Sequence, residues 1–254
     1  MASVAVLVGL SASAAAQERY STGFELSQGF SPGSINRMPA DAGPLTRKWT
    51  VANQNYDVQV TSLMAAEGTQ CLRWSNRVSD AQVQGVNSPR LNSSAGEPGS
   101  IDGLGIAPLA GIARVVQTFS MRSVSTTADP GLDVNVSIDD GAALRMIIIR
   151  FFEQAGTLKA QAVYQVGVGE VNTRYVDVPV PMLWGQWYQV RIELDMKPGP
   201  LNDVVRVWVK PVGQSLNAPD LITTSYEEYY RSMAQLPPAV NGTSMRISQD
   251  AGAN

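Results

Sequence analysis

Hydrophobic and polar residues alternate with a period of two along most of this chain, and helical periodicity is almost absent. The clearest case is residues 187–195, in which every second residue from Tyr188 to Leu194 is apolar. This alternation is typical of a half-buried strand. A loop with Pro and Gly leads to residues 204–210, which alternate again, so the two runs predict an antiparallel hairpin.

Similar strand-like runs recur between clusters of Gly, Pro, Asn and Asp, as in all-β sandwiches. They cover residues 112–124, 132–138, 144–152, 158–166 and 175–180. Two regions differ: residues 76–111 are rich in Ser, Asn, Gly and Pro and predict surface loops, and residues 224–234 predict a short helix capped by Thr224 or Ser225. The expected fold is an all-β, two-sheet antiparallel β-sandwich in one domain, residues 17–254.

The first 16 residues predict a secretory signal peptide. A short apolar run from Val4 to Leu10 is followed by small residues that end in Ala14-Ala15-Ala16. No Lys or Arg precedes the run, so this signal is atypical. Cleavage after Ala16 would place the mature protein in the cell envelope or outside the cell. No other segment approaches the roughly 20 apolar residues of a membrane span, so no membrane insertion is expected.

Composition excludes several kinds of chemistry. The 254 residues include no His and one Cys, so His-dependent catalytic triads, thiolate zinc clusters and internal disulfides are excluded. The 19 basic residues are scattered and the formal net charge is −3, which argues against nucleic-acid partners. Cys71 lies in an apparent strand among apolar neighbours, where a cysteine is usually a small buried hydrophobe.

Four segments together resemble the concanavalin A-like, laminin-G-like jelly-roll superfamily. They are Gly23-Phe24-Glu25 with Gly29-Phe30 and Trp49, then residues 68–75, 185–191 and 205–209. The resemblance implies two packed antiparallel sheets. It also implies a closing strand beside the first, which Ser244–Ile247 begins, and we expect the sequence to lack the final strand of that arrangement.

The resemblance also raises two enzymatic alternatives. Glucanases of the superfamily carry E-x-D-x-x-E, and this chain matches it at Glu193 and Asp195 but has Pro198 in the third position. Alginate-lyase relatives use a His and a Tyr, and the His is absent here. A lyase that uses Tyr, with Arg191 or Arg206 to neutralise a uronate, stays open.

The binding alternative rests on the predicted hairpin. Its outward face would carry one set of polar and aromatic side chains, namely Gln189, Arg191, Glu193, Arg206 and Trp208. An exposed Trp208 could stack on a sugar ring, whereas a covered face would make it part of the core. The sequence therefore favours a non-catalytic protein that binds a polysaccharide or glycan surface. The alternatives are a polysaccharide hydrolase or lyase and a structural extracellular protein.

Calcium is the one cofactor that the resemblance suggests, since related jelly rolls bind it near their first and last strands. Glu25 matches that place, although a calcium ion needs about six oxygen ligands or more and the sequence does not supply the rest. No other cofactor is expected.

Overall fold

The chain is all-β within the part that a computed structural model describes, residues 22–35, 49–51, 58–74, 84–88, 91–92, 114–139, 145–165, 173–197, 201–226 and 242–249. No α-helix occurs in these ranges, and one 3-10 turn spans Leu26–Gln28. The strands are β1 (Gly33–Ser34), β2 (Thr50–Val51), β3 (Val58–Thr61), β4 (Cys71–Trp74), β5 (Gln84–Asn87), β6 (Leu91–Asn92), β7 (Arg114–Met121), β8 (Asp133–Asp139), β9 (Arg145–Gln154), β10 (Thr157–Gln165), β11 (Thr173–Asp177), β12 (Tyr188–Asp195), β13 (Asp203–Pro211), β14 (Leu221–Tyr226) and β15 (Gly242–Gln249).

Two large antiparallel sheets pack face to face as a sandwich. The eight-stranded sheet has the order β11-β10-β9-β8-β15-β5-β2, with β6 joined to β15. The four-stranded sheet has the order β14-β13-β12-β7. Strand β15, the last along the chain, lies between β8 and β5 rather than at an edge. Strands β1, β3 and β4 form a separate three-stranded sheet.

One apolar core lies between the two large sheets, and period-two alternation supplies its side chains. The four-stranded sheet contributes the residues from Tyr188 to Leu194 at every second position, and Val205, Val207 and Val209. The eight-stranded sheet contributes residues of β8, β9 and β10, among them Val136, Ile138, Ile147, Ile149, Phe151, Ala160 and Ala162. The remaining side chains of each strand therefore point away from this core.

A second, smaller apolar cluster packs the three-stranded sheet against residues near the start of the described chain and against β5. Phe30, Val58 and Val60 are buried there together with Val86 of β5. Phe24 packs edge-on against Phe30, with ring centroids 5.1 Å apart, and also against Trp49. These contacts attach the beginning of the described chain to the body of the protein.

The predicted hairpin of residues 187–195 and 204–210 is confirmed. Strand β12 pairs with β13 antiparallel, with Arg191 opposite Trp208 and Glu193 opposite Arg206. A tight turn also forms at residues 154–156. It joins β9 to β10 through Ala155 and Gly156, whose φ values of 51° and 83° suit a two-residue hairpin turn.

The prediction of a short helix over residues 224–234 is wrong at its start. Thr224 to Tyr226 belong to β14, which pairs with β13. Ile222, Thr223 and Thr224 form a β-branched run, which favours a pleated strand over a helix. Residues 227–234 lie outside the described residues, as does most of the predicted loop region 76–111.

No helix within the described residues has the length and apolar character needed to cross a bilayer.

Candidate functional site

Three arginines converge on Glu193 on the outer face of the four-stranded sheet. Arg114 approaches Glu193 Oε1 at 2.7 Å, Arg191 approaches Oε2 at 2.9 Å, and Arg206 approaches Oε1 at 3.3 Å. Strand pairing explains the convergence, because β12 lies between β7 and β13 and all these residues point outward. Glu193 is only 6% exposed, so its charge is held inside this cluster.

Asp195 shares two of the same arginines. Arg206 donates to Asp195 Oδ2 at 2.5 Å, and Arg114 Nε lies 3.3 Å from Oδ1. The hydrogen bond from Arg206 to Asp195 raises the pKa of that guanidinium, and the charges of Asp195 and Glu193 add to the effect. Both carboxylates of the E-x-D sequence are thus engaged in ion pairs. This arrangement does not present a free acid and nucleophile for glycoside hydrolysis.

Trp208 lies on the same outer face and is only 6% exposed. The Arg191 guanidinium carbon is 5.2 Å from the centre of its ring, a distance suited to a cation–π contact. Within the described residues, the indole Nε1 is buried and has no hydrogen-bond partner. The ring is therefore covered rather than open for stacking on a sugar.

Gln189, the fifth residue of the predicted binding face, lies farther along β12. It is half-buried and stands opposite Lys210 on one side and Ser120 on the other. The structure thus brings all five predicted residues to one face, and three of them, Arg191, Glu193 and Arg206, form a charged cluster beside Trp208. Their role in carbohydrate binding stays a prediction.

Glu25 lies apart from this cluster and accepts hydrogen bonds from one loop. Its Oε1 accepts from the backbone N–H groups of Thr69, at 2.9 Å, and Gln70, at 3.2 Å. Its Oε2 accepts from the Thr69 hydroxyl at 2.5 Å. The Thr69 hydroxyl contributes most to lowering the pKa of Glu25, followed by the two backbone donors.

These hydrogen bonds give Glu25 a structural task. Among the described residues, no group of three or more acidic or Cys side chains is placed to hold a metal ion. The calcium role of Glu25 stays a prediction from the family resemblance.

The outer face of the eight-stranded sheet carries a second set of polar residues that the sequence did not single out as a site. One line of paired residues crosses six strands, and we call it the polar row. It consists of Gly85, Ser248, Asn135, Arg150, Gln161 and Asp177. The neighbouring line of paired residues, two residues along each strand, runs Asn87, Arg246, Ser137, Ile148, Val163 and Tyr175.

The middle of this face lies beneath the molecular surface. Asn135, Ser137 and Ser248 point away from the core, yet they are only 4%, 2% and 1% exposed. Ser137 donates to Asp139 Oδ1 at 2.6 Å, and Asp139 is also buried. Buried polar groups of this kind are costly unless they are hydrogen-bonded, as Ser137 and Asp139 are to each other.

Arg150 is the best-defined cation of the polar row. Its Nε and Nη2 donate to Asp133 at 2.8 and 2.5 Å, a bidentate ion pair across β8 and β9. Its guanidinium also lies over the ring of Phe152, 4.5 Å from the ring centre. The guanidinium of Arg150 is therefore held at one edge by Asp133 and on one face by Phe152.

The face opens toward β10 and β11. Gln161 Nε2 donates to Asp177 Oδ1 at 2.8 Å, and Lys159 Nζ lies 3.7 Å from Asp177 Oδ2. Tyr175, on β11 in the neighbouring line, is 61% exposed. Cations, amides and a phenol thus lie together beside the recessed centre. This combination can bind hydroxyl and carboxylate groups and can transfer a proton.

The sequence contained part of this signal. In the sequence, Asp133, Asn135 and Ser137 alternate with apolar residues, and Lys159, Gln161 and Gln165 occupy every second or fourth position of their run. These side chains come together only because their strands are close in the sheet, and alternation within one strand does not predict the order of the strands.

Comparison with known proteins identifies no protein-family model that matches the sequence and no curated protein that matches it. Solved structures do match. One is an alginate lyase in complex with an alginate trisaccharide, at 11% identity and a TM-score of 0.47, covering 86% of this chain and 81% of that chain. A marine alginate lyase from Aplysia kurodai has 7% identity and a TM-score of 0.35, covering 76% and 85%. An endo-β-1,4-glucuronan lyase from the fungus Trichoderma reesei has 10% identity and a TM-score of 0.38, covering 79% and 88%.

These neighbours are polysaccharide lyases, and the finding corrects the functional prediction. The expectation of a non-catalytic carbohydrate-binding or adhesion protein is wrong on this comparison. At these identities the likeness concerns the sandwich-like fold. The site and its chemistry have to be argued from this chain's own residues.

Proposed function

We propose that the protein is a polysaccharide lyase that cleaves a uronate-containing polysaccharide on the outer face of its eight-stranded sheet. The observation that carries this proposal is the polar row, centred on Arg150 and open toward Tyr175. Lyase chemistry is compatible with a chain that has no His. It needs a cation for the uronate carboxylate and a group that can move one proton.

The proposed reaction is a β-elimination. Arg150 binds the carboxylate of the uronate, which makes the proton on the adjacent C5 carbon more acidic. The Tyr175 oxygen takes that proton, the C–H electron pair forms the C4–C5 double bond, and the C4–O bond breaks. Tyr175 then returns the proton to the departing oxygen, so protons and electrons balance without an added water.

The spacing of these groups suits one sugar residue. Arg150 is on β9 and Tyr175 is two strands away on β11, in the neighbouring line, so their Cα atoms are about 12 Å apart. Gln161 of the intervening strand β10 and Lys159 on the same strand supply donors for neighbouring hydroxyl or carboxylate groups.

The hydrolase alternative is less well supported. A hydrolase of the glucanase type would use the carboxylates of β12, but Glu193 is buried and bound to three arginines. Asp195 shares two of those arginines. A general acid has to hold a proton and reach the glycosidic oxygen, and neither carboxylate is placed to do so.

The direct test is to incubate the purified protein with a panel of polyuronates and with neutral glucans. We expect ultraviolet absorbance from unsaturated uronate ends with at least one polyuronate and none with the glucans. Tyr175→Phe removes one exposed hydroxyl and should lower the turnover number about 100-fold or more. Thr118→Ala, on the outer face of the other sheet, is the matched control and should leave activity unchanged. Reducing ends without ultraviolet absorbance would contradict the proposal and favour hydrolysis.

We also propose that the protein works outside the cytoplasm and that its sandwich is of the concanavalin A-like type. The apolar run and the Ala14-Ala15-Ala16 sequence support export, and the two packed antiparallel sheets support the fold type. Amino-terminal sequencing of exported protein should begin at Gln17. Retention of residues 1–16 on the exported protein would contradict cleavage.

A further inference from the structure

We propose that the outer face of the four-stranded sheet binds a small monovalent anion, such as chloride, between the guanidinium of Arg191 and the indole N–H of Trp208. The site is separate from the proposed lyase reaction, which uses the other large sheet. It binds an ion, and no sugar has to reach the buried ring of Trp208.

Two buried nitrogen donors on this face have no acceptor. At the outward-facing positions of β7, β12 and β13, the buried side-chain polar atoms without a hydrogen-bond partner are Arg191 Nε and Trp208 Nε1. Trp208 as a whole is only 6% exposed. A buried N–H group without an acceptor destabilises the folded protein, so two of them on neighbouring side chains indicate that an acceptor binds there.

The two donors belong to side chains that contact each other. Arg191 lies directly opposite Trp208 in the pairing of β12 with β13. Its guanidinium carbon is 5.2 Å from the centre of the indole ring, and its Nη2 donates to Glu193 Oε2 at 2.9 Å. The contact with Glu193 holds the guanidinium beside the ring and leaves Nε–H available to a ligand that also accepts from the indole N–H.

The charge of the surrounding cluster favours an anion. Arg114 and Arg206 each pair with both Glu193 and Asp195, so two arginines already balance the two carboxylates. Arg191 contacts Glu193 alone and carries the excess positive charge. Because the Glu193 side chain is only 7% exposed, water screens this charge less than it would on an open surface.

The ligand is an anion rather than a water molecule because both available groups are donors. A water molecule that accepted both hydrogen bonds would bring two O–H groups that need acceptors of their own, whereas a halide ion only accepts. N–H donors beside an excess positive charge make charge-assisted hydrogen bonds to an anion, and these are the stronger kind. The ion has to be small because the indole ring is covered.

The first experiment measures the melting temperature of the purified protein as chloride is raised from about 3 to 300 mM, a range that covers weak ion binding. Sodium methanesulfonate keeps the ionic strength constant, and its bulkier anion controls for general effects of salt. A ligand that binds only the folded protein raises its melting temperature. For wild type we expect a rise of about 3–8 °C over this range.

Trp208→Phe removes the N–H but keeps an aromatic ring, and the rise with chloride should fall below about 1 °C. The matched control is Trp184→Phe. Trp184 Nε1 already donates to the carbonyl oxygen of Gly156 at 2.9 Å, so this variant should melt earlier and keep the chloride dependence. Arg191→Lys keeps the charge but lacks the guanidinium Nε–H, and it should need about 10-fold more chloride for half of the effect.

Bromide soaked into wild-type crystals gives a second measurement that depends on no variant, since anomalous scattering locates the ion. We expect a bromide peak within hydrogen-bond distance of Arg191 Nε and Trp208 Nε1. Equal chloride dependence in wild type and Trp208→Phe would overturn the proposal, because chloride would then act elsewhere. A wild-type protein that shows no chloride dependence, with no bromide peak at these two nitrogens, would overturn it as well.

Discussion

The carboxylate of Glu193 lies 2.7 Å from Nη2 of Arg114, diagonally across the pairing of β12 with β7. Because Arg191 and Arg206 reach the same carboxylate, replacing Glu193 leaves three arginines without their shared acceptor. We expect Glu193→Gln to lower the free energy of unfolding by about 2–4 kcal/mol, since the removed charge is buried. Urea denaturation of the purified variant measures this.

Activity provides the second readout for Glu193→Gln. If catalysis takes place on the eight-stranded sheet, the folded variant should cleave substrate at the wild-type rate. The exposed Glu67 offers a control, since Glu67→Gln should change neither stability nor activity. Loss of turnover in a folded Glu193→Gln protein would instead favour a hydrolase built on β12.

Low pH should loosen the loop that Glu25 holds. The hydrogen bonds from Thr69 and Gln70 lower the pKa of Glu25 below its usual value of 4.5. A lowered pKa means that the contribution to stability is present above the usual value and is lost as the pH falls through the folded-state value. Hydrogen exchange at the amides of Thr69 and Gln70, corrected for intrinsic rates, should therefore accelerate below about pH 4.5.

The variant Glu25→Gln separates this effect from general acid unfolding. It should exchange faster at these two amides already at neutral pH, with no further acceleration specific to them on acidification. Equal pH dependence in the variant and in wild type would show that another group titrates.

Gly68 is required where the same loop meets Glu25. Its φ is +71°, and a Cβ there would lie 2.2 Å from Glu25 Oε1. Gly213 also has positive φ, at +92°, but a Cβ would meet nothing within 4 Å. Gly68→Ala should therefore destabilise the protein by about 1–3 kcal/mol more than Gly213→Ala, because only Gly68→Ala adds a clash to the backbone strain. Equal melting temperatures for the two variants would contradict this close approach.

Trp208 tests whether the outer face of the four-stranded sheet binds sugar. Because the ring is buried beside Arg191, Trp208→Phe should lower the free energy of unfolding by about 1–2 kcal/mol and leave the affinity for oligosaccharide unchanged. Thermal denaturation and calorimetry measure the two effects separately. A selective loss of affinity with little loss of stability would favour the predicted stacking role.

The sequence was informative where one strand and its turn carry the signal. Alternation from Tyr188 to Leu194, with the Pro and Gly loop that follows, predicted β12 and its pairing with β13 correctly. The sequence was misleading for β14. The Tyr and Glu residues after Thr224 are typical of a helix, but pairing with β13 makes residues 221–226 a strand.

The polar row could not be derived from local patterns. Asn135 meets Ser248 only because β15, more than a hundred residues later, pairs with β8. A shift by one residue in that pairing would turn every side chain of β15 to the other face, and β15 is not joined to β8 by a short turn that would fix the register. The predicted site on β12 was accessible to sequence reasoning because β12 and β13 are partners in a hairpin and follow each other in the chain. The ion pairs of Glu193 were not, because one of its three arginines, Arg114, lies on β7, which is distant in the sequence.

The source of the oxygen in the products tests the central claim most directly. Digestion of a polyuronate in water enriched in the heavy oxygen isotope, followed by mass spectrometry, distinguishes elimination from hydrolysis. The proposed β-elimination predicts unsaturated products that are lighter by one water and carry no heavy oxygen from the bond cleavage. Saturated products that incorporate one heavy oxygen at each cleaved bond would contradict it.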